Sequence, residues 1–291
     1  MDEIKMMQLL DRMGVHQVAE VTQFRNQEDG GAYDVWRIEV PDKSYVLKRA
    51  KAFERETYEG FFASPTAYAP QLMAVSELDG TEYLLLEYVP GQDLMHCTRD
   101  ALIRTLDSLA QMQIEWWGNL EKADVGQSFA RSLEGRKNRL RYLGDPILEA
   151  VFQKYLDAYC SAPKTLCHDD LLPFNVQASD DRAVFIDWEY GGILPYLTSL
   201  ARLIAHGEER EDAFFWMTEA DKHFAMDYYY EKCAKLMGIT KEEYRIAVNL
   251  FLFYEYCEWI YVGNKFGNTD NERYRKYLKL ARELAEIVNK R

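Results

Sequence analysis

Cys167-His168-Asp169-Asp170-Leu171-Leu172-Pro173-Phe174-Asn175, followed by Val184-Phe185-Ile186-Asp187-Trp188-Glu189, carries the strongest chemical signal in the chain. Between the two runs lies Ser179-Asp180-Asp181-Arg182, a polar turn flanked by short apolar segments, which predicts a β-hairpin. With the turn centred on Asp181, antiparallel pairing sets Asn175 opposite Asp187, and directly paired positions bring Cβ atoms to about 5 Å. One carboxylate and one neutral amide oxygen at that spacing suit a hard divalent cation such as Mg2+. Asp170 precedes Asn175 on the turn into the hairpin, where a carboxylate can accept the proton of an incoming hydroxyl. His168 follows apolar Leu166 and Cys167 and reads as a prop for this loop. Asp169, Asp170, Asp187 and Glu189 together concentrate negative charge that a bound cation would relieve.

Working outward, the chain changes character twice. Ile4, Met7, Leu9, Leu10 and Met13 recur at helical spacing and predict a short opening helix over 2–13. Runs such as Val35-Trp36-Arg37-Ile38-Glu39-Val40, Tyr45-Val46-Leu47-Lys48 and Tyr83-Leu84-Leu85-Leu86-Glu87-Tyr88 are rich in branched and aromatic residues and are broken by turn residues. They predict an antiparallel sheet, interrupted by one helix over 54–63. After Pro90-Gly91 the pattern is helical, with helices expected over 100–117, 147–160, 220–237 and 242–261. The resulting class is α+β, with an N-terminal lobe over 1–89 and a larger, mainly helical lobe over 90–291, joined by a short connection and packed together.

Composition bounds the function. The 291 residues suffice for a sizeable core, and a 48% hydrophobic share argues for a globular chain. A formal net charge of −13 disfavours phosphate-backbone binding, so no nucleic-acid partner is expected. Five scattered cysteines without paired spacing read as reduced thiols. No basic leader with an apolar run follows Met1 and no apolar stretch reaches a membrane span, which predicts a cytoplasmic protein with no membrane partner. Nothing in the sequence fixes the oligomeric state.

The motif order resembles the protein-kinase-like fold, and within it the aminoglycoside phosphotransferase and choline/ethanolamine kinase group. Those families carry H-x-D-x-x-x-x-N and then I-D-W/F-E/D, matched here by His168, Asp170, Asn175 and Ile186-Asp187-Trp188-Glu189. The resemblance covers roughly residues 15–205. It implies ATP and Mg2+ as cofactors, Asp170 as base supported by His168, and Asn175 and Asp187 as metal ligands. Lys48 matches the strand lysine that meets the α- and β-phosphates. Glu56 matches the helix acid that pairs with that lysine, with Glu54 and Glu59 as rivals. The backbone of Glu87 and Val89 matches the adenine-binding hinge, and Gly30-Gly31 the turn over the phosphates, although G-x-G-x-x-G is absent.

Two departures stand out. The middle position of the His168 motif, usually Gly or Asn in these families, is Asp169, a candidate contact for a cationic substrate or the metal site. Where an Asp-Pro and a second Asp usually follow, this chain has Leu194-Pro195 and then Thr198-Ser199-Leu200, which leaves open how the next helix is tied to the loop. No long activation segment separates Asp187 from Tyr196, which favours a small acceptor over a protein. Glu255, Glu258 and Trp259 share an aromatic helix and are candidate contacts for a cationic acceptor such as choline, ethanolamine, an amino sugar or an aminoglycoside. The alternative is a weak or inactive kinase-like module that binds nucleotide for a regulatory or structural role.

Overall fold

Alternating apolar and polar residues between Glu20 and Glu87 build a five-stranded antiparallel sheet in the computed structural model, which describes residues 2–25 and 30–290. Its strands are β1 (Glu20–Arg25), β2 (Ala32–Val40), β3 (Lys43–Arg49), β4 (Leu72–Leu78) and β5 (Thr81–Glu87), in spatial order β1-β2-β3-β5-β4. Helix α1 (Glu3–Arg12) lays Met6, Leu9 and Leu10 on one face of the sheet, against Trp36, Ile38, Leu47 and Leu85, and closes a small core. Those spacings are three and four residues along the helix and two along β2, as each element's geometry requires.

Helix α2 (Glu54–Phe61), between β3 and β4, presents Glu54, Thr57, Tyr58 and Phe61 inward. These four positions make one stripe of a helix, and the stripe faces the helical half of the molecule. Tyr58, Phe61 and Phe62 share a core with Tyr68, Trp188 and Ile193, so the large core runs past Val89 into the sheet-bearing half. The two halves expected from the sequence are therefore packed through α2 as well as through the connection. At that connection the backbones of Gln92 and Ala178 exchange two hydrogen bonds, at 2.9 and 2.8 Å. Gly91 allows this approach, since a Cβ there would lie 2.8 Å from the Ala178 carbonyl oxygen.

The helical half comprises α3 (Arg99–Glu115), α4 (Ser128–Leu140), α5 (Pro146–Ser161), α6 (Thr198–Ala205), α7 (Glu219–Tyr229), α8 (Lys241–Phe266) and α9 (Glu272–Asn289). A π-turn, Tyr230–Ala234, extends α7, and α8 opens on a capping box made by Thr240 and Glu243. The sequence assigned no bounds to α4 or α9, and α4 proves central to the site. Short pairs β6 (Lys164–His168) with β9 (Gly191–Pro195), and β7 (Val176–Ala178) with β8 (Ala183–Phe185), sit between the helices and the sheet. All five cysteines are free thiols, four of them buried. Among the described residues no helix is long and apolar enough to cross a membrane.

Candidate active site

The hairpin β7–β8 forms as the sequence predicts, but its register is one residue off the expected one. Val176 pairs with Phe185 and Ala178 with Ala183, so Asn175 stands opposite Ile186, whose amide donates to the Asn175 carbonyl at 2.9 Å. A one-residue slip in a regular ladder would send Asn175 and Asp187 to opposite faces. The chain avoids this because the ladder ends at Phe185 and Asp187 takes a left-handed backbone, φ 65° and ψ 60°. That conformation costs a non-glycine residue on the order of 1 kcal/mol, and it re-aims the carboxylate toward β3.

The carboxylate meets Lys48. Its Nζ lies 2.6 Å from Asp187 Oδ1 and 2.7 Å from Glu54 Oε1, with the lysine side chain 8% exposed. Glu54, not Glu56, is thus the helix acid on Lys48. The stripe that α2 turns inward contains position 54, whereas Glu56 is exposed and Glu59 pairs with Arg55 at 2.9 Å. Burial pushes the Glu54 carboxyl up, and Lys48 only partly offsets it. At Asp187 burial acts the same way, but Lys48 and Lys51 outweigh it and hold the carboxyl below its ordinary value. Lys51, which the sequence reading passed over, lies 3.6 Å from Asp187 Oδ2 and 3.5 Å from Glu189 Oε1.

His168 is fully buried and neutral in character, since burial pushes its pKa down. The Asp170 amide donates to its Nδ1 at 3.2 Å, so Nε2 carries the proton and donates to the Ile186 carbonyl at 2.8 Å. The ring therefore positions the loop and reaches no cavity. Ser199 supplies what the missing acids left open: its Oγ accepts from the His168 amide at 2.9 Å and donates to the His168 carbonyl at 3.3 Å. Asn175 donates Nδ2 to the Asp170 carbonyl at 2.8 Å, which leaves Oδ1 as the side chain's acceptor.

Asp169, considered from the sequence for a cationic substrate or the metal site, lines the cavity beside Asp170 but is already paired. It forms a bidentate pair with Arg136, at 2.7 and 3.1 Å, and accepts from Ser132. Burial disfavours the Arg136 charge, yet Asp169 and the rings of Tyr155, Tyr159 and Tyr254 around it hold its pKa above the usual value. Asp170 Oδ1 accepts from Arg202 Nε at 3.0 Å and Nη2 at 2.8 Å, leaving Oδ2 open to another donor. Arg202 also reaches Glu255 at 3.0 Å and Glu258 at 2.6 Å, and Arg139 meets Glu258 at 2.6 Å. Burial pushes the Glu258 carboxyl up, but Arg202 and Arg139 together bring it down to about 2.

Asp170, Glu255 and Glu258 line one cavity of about 320 Å3, whose other wall is α4. Trp259 is not with them. It stacks on Tyr277 with ring centroids 5.8 Å apart, carries Arg273 at 4.5 Å, and faces a separate cavity. Gly30 and Gly31 lie between β1 and β2, with Gly30 at φ 71°, and residues 26–29 of that turn are outside the described residues. Glu87 closes β5, its carboxylate 3.1 Å from Arg182, and Val89 follows beyond the ladder.

A sheet lobe, a buried lysine bridging a helix acid and a hairpin acid, and a second acid at a cavity beside them define a kinase-like protein. The sequence profile of the APH phosphotransferase enzyme family matches residues 2–234, and the chain belongs to that family. Protein LicA of Haemophilus influenzae is 31% identical over 147 residues, 47% of this chain and 51% of the relative. The chain thus spans about half the length of the curated relative it matches. Aminoglycoside phosphotransferase APH(4)-Ia, solved with ADP and hygromycin B, superposes with TM-score 0.59 at 15% identity, covering 96% of this chain and 97% of that one. Choline kinase from Cryptosporidium parvum gives 0.56 at 15% identity, over 92% and 90%. A choline/ethanolamine kinase family protein from Mesorhizobium loti gives 0.59 at 13%, over 100% and 99%. At these identities the structures share the fold.

The two acids of α2 are separable by experiment. Glu54→Gln should weaken ATP affinity on the order of 10-fold, because a displaced Lys48 loses its aim, whereas Glu56→Gln should change it by less than about 2-fold. Calorimetric titration of both variants checks this, and equal losses would return the pairing to Glu56. Glu258 makes a pH prediction. Its stabilisation is present above its ordinary value of 4.5 and lost as pH falls toward about 2. Glu258→Gln should therefore lower the melting temperature at pH 7, with the gap to wild type closing between pH 4.5 and 2. A gap that stays constant with pH would mean the charge contributes nothing.

Proposed function

We propose that the chain transfers the γ-phosphate of ATP, with Mg2+, to a hydroxyl group of a small molecule, with Asp170 as the base. The observation that carries this reading is the buried bridge Glu54–Lys48–Asp187, which joins the sheet lobe to the hairpin next to the cavity that Asp170 lines. In this reading residues 1–89 hold the nucleotide, with the backbone of Glu87 and Val89 on the adenine and Gly30-Gly31 near the phosphates. Residues 90–291 supply the hydroxyl site.

The donor set fits magnesium. Mg2+ is usually held by one or two carboxylates together with substrate phosphates, all oxygen ligands. Asp187 stays ionised because its two lysines depress its pKa, and Asn175 has its amide nitrogen tied back, which supports both as ligands. When bound there the metal would neutralise charge on the phosphate oxygens.

Lys48 would donate to nucleotide phosphate oxygens while Glu54 fixes its direction, and Asp187 would be released from the lysine as it takes up its ligand role. Asp170 Oδ2 would accept the proton of the acceptor hydroxyl as that oxygen bonds to the γ-phosphorus and the bond to ADP breaks. Arg202, with two hydrogen bonds to Oδ1, keeps the carboxylate in a fixed plane at the moment of attack. His168, neutral and buried, holds the loop that carries both groups.

Asp170→Asn should lower kcat by about 10²–10⁴-fold and leave ATP affinity largely intact. Unchanged kcat would remove Asp170 from the reaction, and wild-type protein that binds ATP but releases no ADP with any small hydroxyl compound would favour the nucleotide-binding module. Asp187→Ala should abolish the magnesium dependence of ATP affinity. Wild-type ATP affinity that is equal with and without Mg2+ would count against the metal assignment.

A further inference from the structure

The cavity beside Asp170 is polarised. At one end three carboxylates, Asp170, Glu255 and Glu258, share two guanidiniums, Arg202 and Arg139. Farther along the wall Asp169 and Arg136 neutralise one another. At the other end stands Arg131, on the first turn of α4, with no ion pair among the described residues. Its Nη2 makes a 3.3 Å hydrogen bond to the Glu189 carbonyl, while Nη1 is buried with no partner. The guanidinium lies 4.1 Å over the Phe53 ring, so its plane is fixed before any ligand arrives. Burial lowers its pKa, and Asp169, the carboxylate that opposes this most, does not restore it.

A second orphan lies beside it. Ser128, at the start of α4, is 1% exposed, lines the same cavity, and its Oγ has no hydrogen-bond partner. Buried donors without partners are uncommon in folded proteins and mark a missing ligand or water. Here both can donate, and both stand at the positive end of a 13-residue helix, where an anion is favoured. The aromatic faces of the cavity, by contrast, already carry cations: Arg136 and Arg139 lie 4.5 and 5.7 Å from the Tyr254 ring, and Arg131 6.0 Å from Tyr190. A quaternary ammonium would find no unoccupied ring and no carboxylate without a guanidinium.

We propose that the acceptor carries an oxyanion, a carboxylate or a phosphate, in addition to the hydroxyl that is phosphorylated, and that Arg131 with Ser128 binds it. This rests on the phosphotransferase reading of the same site, with the hydroxyl at the Asp170 end and the oxyanion at the Arg131 end. An ammonium group on the same molecule is not what Arg131 selects.

The test keeps the two readings apart. With Mg2+ and a non-hydrolysable ATP analogue filling the nucleotide cleft, malonate and glycerol phosphate are titrated separately by calorimetry at constant ionic strength. Failure of the analogue to bind would overturn the nucleotide reading before the acceptor is in question. Otherwise one of the two oxyanions should bind wild type, and which one does separates carboxylate from phosphate. Arg131→Gln should weaken that binding on the order of 10- to 100-fold, Arg131→Lys should recover part of it, and melting temperatures should stay close to wild type. No binding of either oxyanion, or equal binding by wild type and Arg131→Gln, overturns the proposal and leaves the orphan donors to water. ADP release stimulated by choline or ethanolamine, with no effect of Arg131→Gln on acceptor KM, would overturn it while leaving phosphotransfer standing.

Discussion

A lysine ammonium buried between two carboxylates organises this molecule. Lys48 comes from the sheet, Glu54 from the helix packed under it, and Asp187 from a hairpin far along the chain, and the three meet within 2.7 Å contacts. Breaking a buried ion pair by removing one partner typically costs about 3–5 kcal/mol, because the charge left behind is uncompensated. The arrangement therefore obliges the sheet lobe and the hairpin to keep a fixed relation. Asymmetry within the trio matters as much: Glu54 is pushed toward the protonated form by burial, while Asp187 is held ionised by Lys48 and Lys51. The group proposed to take a metal is the one whose charge the protein maintains.

Around this bridge lies a second layer of arginine–carboxylate contacts that the family motifs do not announce. Arg136 locks Asp169, and Arg202 locks Asp170 to Glu255 and Glu258. Burial of so many charges is tolerable only when nearly every lone pair and donor is matched. Against that matching, the unpaired donors of Arg131 and Ser128 are informative, because they are the places where the network stops before its chemistry is satisfied. The departures from the motif also find their reason here. Asp169 exchanged a neutral residue for an anchor to α4, and Ser199 ties α6 to the His168 backbone with one hydroxyl in place of an acid.

Much of the fold was legible in sequence because it is local. The period-two runs of β2, β3 and β5, the stripe of α2 and the long apolar helices carry their own geometry, and the turn residues between them set the order. The hairpin was legible for the same reason, and its register nearly so. Its slip by one residue was not, because the left-handed conformation of Asp187 answers to Lys48, 139 residues away, and not to the turn.

By itself, then, the sequence determined the class of the protein and singled out the acid before the hairpin and the hairpin acid by their spacing, and the strand lysine by the motif order it shares with the kinase-like families. Tertiary structure alone decided which glutamate of α2 meets Lys48, that Trp259 leaves the cavity where Glu255 and Glu258 stay, and that Arg202 holds Asp170 while Arg136 and Arg131 stand farther along the same cavity. Those choices depend on which face of a helix meets a distant neighbour and on which buried charges are left to pair. No window of residues contains that information, because the energy that settles it is Coulombic and is set by distances between elements that packing alone establishes.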